Sequence, residues 1–321
     1  MNRFRVLHIS DFRYDGPVSE SYNEVHLRPI DDDYQICLSF RIATRPATHP
    51  AGHRDYFGNW VHRFNVLGEH RGLRIEAESV VMVHEPAPPP VDGPPLAQLD
   101  SRREEILDDH YELLAPTDYV PQPEGLDELV RACEERGGGT AAGFVRAAAE
   151  LIHERFRYEK GATHVHSSAA DVMSTGAGVC QDFAHLLLAI ARRRGLPARY
   201  VSGYLVSSPQ GNEETGTRDI SGGQASHAWA EVLVAGAGWF GFDPTQGRPV
   251  TRHHIRVGYG RDYGDVAPVR GVYRGHAGQR LSVDVRVRPA LDEDGCEHVT
   301  ETAAAPPPAP PVTAPQQQPQ Q

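Results

Sequence analysis

The chain has 321 residues, of which 39% are apolar and 23% charged, so most of its length should fold around a core, as two modest domains or one large one. A formal net charge of −11 argues against a nucleic-acid partner, because holding phosphates needs a cationic face. Four cysteines (Cys37, Cys133, Cys180 and Cys296) without a CxxC pair exclude a disulfide scaffold and a structural zinc site, and no run of ~18 apolar residues is available to span a membrane.

Residues 3–10, 24–29, 34–43, 58–66 and 73–84 alternate apolar and polar side chains over short runs, the period of half-buried strands. The turn-formers Asp31-Asp32-Asp33 and Pro50-Ala51-Gly52 separate them. The reading is an N-terminal antiparallel, sandwich-like β domain over residues 1–86. A Pro-rich stretch at 87–99 reads as a linker. Apolar residues at helical spacing then mark 126–136 (Leu126, Leu129, Val130, Cys133) and 141–156 (Phe144, Val145, Ala148, Leu151, Ile152), with Gly137-Gly138-Gly139 between them. Residues 184–194 read as a helix stopped by Gly195 and Pro197, and Arg192-Arg193-Arg194 as its solvated cationic end.

Strands are expected at 199–206, 228–235, 239–243 and 281–288. Helix followed by strands is the order of an α+β domain, here 100–290. Residues 291–321 form a Pro/Ala/Gln-rich tail with too little apolar surface to offset its ordering entropy. The polar, glycine-rich segment 207–223 is expected to be a loop beside the functional site.

The chemistry is concentrated between residues 176 and 247. Cys180, in GAGVCQDFAH, follows a glycine-rich turn and opens a strongly apolar helix. A sulfur there faces unpaired backbone N–H groups and the positive end of the helix dipole, which favour a thiolate nucleophile and can hold an oxyanion beside it. His227, in ASHAWAEVLV, opens an alternating strand. Asp243, in GWFGFDPTQG, ends a short aromatic strand at a Pro turn. Neighbouring antiparallel strands can bring the two side by side, with Asp243 fixing the imidazole and His227 moving the thiol proton.

The ordered motifs GVCQDFAH, LPARYVSGYL, SHAWAEV and GWFGFDPT resemble those of the bacterial transglutaminase-like superfamily. So do HHIRVGYGRDYGDVAPVRGVYRG downstream, and SYNEVHLRP with DYFGNWVHRFNV upstream; the upstream text is similar to the β domain that precedes the core in many members. The resemblance covers roughly residues 3–288. It implies a papain-like α+β core, a helix packed on an antiparallel sheet, with Cys180, His227 and Asp243 as a catalytic triad. It also implies acyl transfer at amides through a thioester, as in the family's cross-linking enzymes, proteases and amidases.

Around these residues, Gln181 is a candidate oxyanion donor through its backbone N–H or side chain. Asp182 and His185 read as structural, Cys37 and Cys133 as core, and Trp229 and Tyr204 as core aromatics. Arg261-Asp262-Tyr263 reads either as a cleft-lining loop or as a loop-stabilising ion pair. The pairs His164/His166 and His253/His254 lack carboxylate or thiolate company, so no metal is expected, nor any cofactor.

The expected partner is a peptide or protein amide substrate, with hydrolysis favoured over cross-linking and neither nucleic acid nor membrane involved. Two other classes compete: an interaction module carrying a vestigial triad, and an arylamine acetyltransferase-like enzyme. The N-terminus lacks the apolar run of a signal peptide, so a cytoplasmic home is expected. No feature fixes an oligomeric state.

Overall fold

Alternation builds the first sheet. In the computed structural model, which describes residues 2–91, 93–206 and 226–290, β1 (Asn2–Val25) is one long strand, where the sequence suggests two. Gly16-Pro17 does not end it: the pairing with β5 breaks at Arg13 and resumes at Val18, a bulge that redirects the strand. β2 (Gln35–Arg45), β3 (Ala51–Arg54), β4 (Trp60–Val66) and β5 (His70–Val83) complete the order β2-β5-β1-β4-β3. Along β5 the inward residues Leu73, Ile75, Ala77, Ser79, Val81 and Val83 alternate strictly with outward ones.

The helical region holds α1 (Gln98–Ser101), α2 (Arg103–His110), α3 (Leu126–Arg136), α4 (Ala141–Arg155) and α5 (Ala169–Thr175), then α6 (Cys180–Arg193). Leu96 and Leu99, at the end of the Pro-rich stretch, are buried in the same core as these helices. A two-residue parallel pair, β6 (Arg157–Tyr158) with β7 (Ala177–Gly178), pins the chain just ahead of α6. α6 is apolar around most of its circumference and lies inside the molecule, with α3, α4 and α5 packed against it. Its Leu186, Leu187 and Leu188 are fully buried, each worth about 1.5–3 kcal/mol.

β8 (Ala198–Leu205) and β9 (Ser226–Val234) also pack on α6. With β10 (Gly238–Asp243), β11 (Arg248–Pro249) and β12 (His254–Gly260) they form an antiparallel sheet ordered β11-β10-β9-β8-β12. After α7 (Tyr263–Val266) the chain returns to the first sheet. β13 (Val269–Arg274) and β14 (Gln279–Pro289) both pair with β1, so 281–288, read from sequence as part of the catalytic region, extend the N-terminal sheet instead.

The two sheets are joined through a shared apolar cluster of Phe4, Val6, Val81 and Val83 with Tyr204, Ile255, Val257 and Val285. Side-chain amides add to the joint: Gln35 and Asn59 each exchange a pair of hydrogen bonds with the backbone of β12, at Arg256 and Tyr259. They occupy what would otherwise be an open edge of the second sheet. The described residues accordingly form one compact unit.

The arginine run at the end of α6 departs from the sequence reading. Arg192 is buried and donates to the carbonyls of Ala198, Ala115 and Arg261, while Arg193 and Arg194 pair with Asp127 and Glu134. Only Arg192 is drawn inside, where its guanidinium satisfies loop carbonyls; Arg193 stays exposed at the helix end. The tail from residue 291 and the segment 207–223 lie outside the described residues.

Candidate active site

Cys180 is the first residue of α6, with Val179 as an extended N-cap. The approach is fixed from both sides. Glu159 N–H donates to the Gly178 carbonyl, and the Asp182 carboxylate reaches back to accept the Val179 N–H at 2.8 Å. The same Asp182 oxygen accepts the Thr163 hydroxyl at 2.5 Å. A Cβ at Gly178 would lie 2.9 Å from that of Asp182, so only glycine fits there. Burial pushes the Asp182 carboxyl upward, against the opposing pull of Thr163 and Val179. Cys180 itself is partly exposed, whereas Cys37 and Cys133 are buried, with burial pushing their thiols up to about 11 and about 12.

His227 is the second residue of β9, opposite Gly203 on β8, and Asp243 is the last residue of β10. Both are buried, and His227 Nε2 lies 2.7 Å from Asp243 Oδ2. The other carboxylate oxygen accepts the N–H groups of Thr245 (2.9 Å) and Gln246 (3.3 Å), which follow the turn at Pro244. Burial opposes charge on the imidazole. The charge and hydrogen bond of Asp243 outweigh it and, with Cys180 adding to the pull, raise His227 well above its ordinary value. Burial likewise opposes ionisation of Asp243, yet His227 and His254 hold its carboxyl well below the carboxylate range. With Nε2 committed to Asp243, the buried Nδ1 is the nitrogen left for another partner.

His254, read from sequence as one of a chance pair, is the residue missed. It opens β12, is buried, and its Nε2 lies 3.1 Å from Asp243 Oδ2. Its Nδ1 accepts the Thr251 N–H at 3.1 Å. Among the described residues, His227, Asp243 and His254 are the one group of three metal-type side chains whose donor atoms converge. The hydrogen bonding assigns those atoms otherwise. An Nδ1 that accepts leaves the proton on Nε2 of His254, which donates to the carboxylate and has no lone pair to offer an ion.

The remaining expectations sort simply. The Gln181 side chain donates to the Val165 carbonyl at 3.1 Å, which leaves its backbone N–H as the part nearest to an oxyanion role. His185 accepts the Tyr263 N–H and packs between Tyr119 and Tyr200, a structural histidine whose burial lowers it to about 3. Asp262 caps α7 and Arg261 pairs with Asp265, so that loop is held by its own ion pair. Trp229 is fully buried, with its ring edge-on to His254 at 5.2 Å. Tyr204 hydrogen-bonds His8 of β1.

Fold and site together define an α+β protein with a cysteine at a helix start and a His–Asp pair on the strands of the sheet packed against that helix. The chain belongs to the transglutaminase-like superfamily. Residues 130–244 match that superfamily's core, and residues 4–82 match the bacterial transglutaminase-like N-terminal region. Cys180, His227 and Asp243 fall inside the core match and His254 outside it. The chain is 36% identical over 287 residues to an uncharacterized protein of Mycobacterium leprae, covering 89% of this chain and 99% of that one. It is 33% identical over 315 residues to an uncharacterized protein of Mycobacterium tuberculosis, covering 90% and 93%. A solved structure of a cysteine protease candidate from Cytophaga hutchinsonii shares the fold, with TM-score 0.67 at 22% identity over 92% of each chain. No helix among the described residues is long and apolar enough to cross a membrane.

Proposed function

We propose that this protein is a thiol-dependent acyl-transfer enzyme acting on amide bonds of peptides or glutamine-type side chains, with hydrolysis as its net reaction. One observation carries the reading. His227 Nε2 is committed to a buried, fully hydrogen-bonded carboxylate, which leaves Nδ1 as the nitrogen available to a thiol.

Cys180 attacks the amide carbonyl as His227 Nδ1 takes the thiol proton. The oxyanion is held by the backbone N–H groups of Cys180 and Gln181, which have no intrahelical partner. His227 then protonates the leaving amine as the C–N bond breaks, leaving a thioester on Cys180. Water, deprotonated by His227, attacks the thioester and releases a carboxylic acid and the free thiol. Asp243 keeps the imidazole in register and stabilises its cationic form throughout.

Hydrolysis is preferred over cross-linking because an enzyme surrounded by protein amines gains nothing from indiscriminate transfer. The reducing cytoplasm is the proposed compartment, and the free thiols of Cys37, Cys133 and Cys180 agree with it.

The test is turnover of a panel of peptide and glutamine amides by wild type and Cys180→Ala, with mass spectrometry of the acid-quenched enzyme. The reading expects an acyl mass on the Cys180 peptide and no turnover by the variant. Equal turnover by the two proteins would overturn it. Added methylamine separates transfer from hydrolysis by the product formed.

A further inference from the structure

We propose that His254 is a positioning residue for the Asp243 carboxylate, a fourth member of the site that holds the acid of the His–Asp pair in place as a neutral donor. The inference rests on the acyl-transfer reading above and deepens it.

The Thr251 N–H points at Nδ1 of His254, so that nitrogen must be an acceptor. The ring proton therefore sits on Nε2, 3.1 Å from Asp243 Oδ2. His227 Nε2 approaches the same oxygen at 2.7 Å, while Oδ1 is held by two backbone N–H groups. Four donors thus fix one carboxylate. Without His254, Oδ2 keeps a single side-chain donor, and the carboxylate can swing about the Oδ1 contacts.

The surroundings keep His254 neutral. It is buried against the edge of Trp229, 5.2 Å away, and its ring lies 6.1 Å from that of His227, a group already disposed to carry charge. A second imidazolium there would face His227 in a dry site, and Asp243, the only carboxylate facing it among the described residues, is shared. His254 therefore donates without competing as a base. By drawing on Oδ2 it also weakens the pull of Asp243 on His227.

Its place is set from outside the motif region. His254 opens β12, whose outer edge is held by Gln35 and Asn59 from the first sheet. The N-terminal sheet thereby supports the site without contributing a side chain to it.

The experiment compares His254→Phe, which keeps a ring and removes the donor, with His254→Gln, which returns an N–H near the Nε2 position. Two readouts are taken on proteins shown to be folded by their thermal transitions. In the Cys180→Ala background, the low-field proton resonance of the His227 Nε2–H is followed by NMR. It should move further downfield in His254→Phe, where Oδ2 is no longer shared, and stay near its parent position in His254→Gln. In the Cys180 protein, kcat should fall on the order of ten- to a hundredfold in His254→Phe, as for lost supporting partners elsewhere. KM should change little, and His254→Gln should recover most of the loss. A resonance and kcat unmoved by His254→Phe, or equal damage by both variants in step with lost thermal stability, would overturn the proposal. If no amide is turned over even by wild type, the NMR shift still decides the role of His254, and the acyl-transfer reading fails separately.

Discussion

Gln35 pairs with the backbone of Arg256 as a neighbouring strand would: its Nε2 donates to the Arg256 carbonyl at 2.7 Å and its Oε1 accepts the Arg256 N–H at 2.8 Å. It is fully buried and its Nε2 also donates to the Ile30 carbonyl at 2.8 Å, so losing the amide takes the acceptor from the Arg256 N–H and a donor from the Ile30 carbonyl, while the Arg256 carbonyl keeps the Ile30 N–H. Gln35→Ala should destabilise the protein by about 1–3 kcal/mol per orphaned group. It should also lower activity more than a surface change of equal stability cost, because β12 carries His254. Urea unfolding and kcat together check this.

Glu231 lies between Arg199 and Arg256, at 2.6 Å from each guanidinium. Burial opposes its charge, but the two arginines overcome it and hold the carboxyl down at about 2. A depressed carboxyl contributes stability above its ordinary value of 4.5, and that stability is lost as pH falls toward about 2. Glu231→Gln should therefore cost about 3–5 kcal/mol at pH 7 by leaving charges unpaired. The gap from wild type should narrow progressively below pH 4.5. Denaturant midpoints across pH 7 to 3 measure both effects.

Gly203 faces His227 across the β8–β9 ladder, and a Cβ there would fall 2.5 Å from the Trp229 ring and 2.2 Å from the Ile255 carbonyl. Gly203→Ala should lose about 1–3 kcal/mol by overpacking. Because Trp229 and His254 must move to make room, activity should drop beyond what the stability loss explains. Thermal midpoints and turnover by the folded fraction check it.

Asp182 closes the start of α6 rather than taking part in chemistry. Asp182→Asn keeps an oxygen for the Val179 N–H and the Thr163 hydroxyl and should leave stability near neutral pH almost unchanged. Asp182→Ala removes the cap and should cost about 1 kcal/mol, within a range of 0.5–2. It should also slow Cys180 reactions by loosening the first turn. Thermal unfolding and alkylation rates of the pair distinguish capping from catalysis.

Much of the site was legible because its signals are local. A cysteine at a helix start, a histidine opening a strand and an aspartate closing one each announce themselves within ten residues of text. The family resemblance then suggested a joint reading for them and identified the N-terminal β region. His254 was not legible, since its role arises only when β12 crosses to the far side of β8, and no spacing rule encodes that pairing. The return of β13 and β14 to β1 was hidden for the same reason: alternation reveals a strand and not its partner. Arg192 misled because basic residues at a helix end normally face water, whereas its side chain turns inward to loop carbonyls while Arg193 beside it stays exposed.

The most direct measurement is the rate of Cys180 alkylation by iodoacetamide at pH 6–7 in wild type and His227→Ala, read by peptide mass spectrometry with Cys37 and Cys133 as internal standards. Those two thiols are buried and held protonated, so they should react negligibly in the folded protein. The account predicts fast modification of Cys180 in wild type and a large loss of rate in His227→Ala, because the imidazole held by Asp243 prepares the sulfur for attack. Equal rates in the two folded proteins would contradict it, since Cys180 would then react without help from the His–Asp pair.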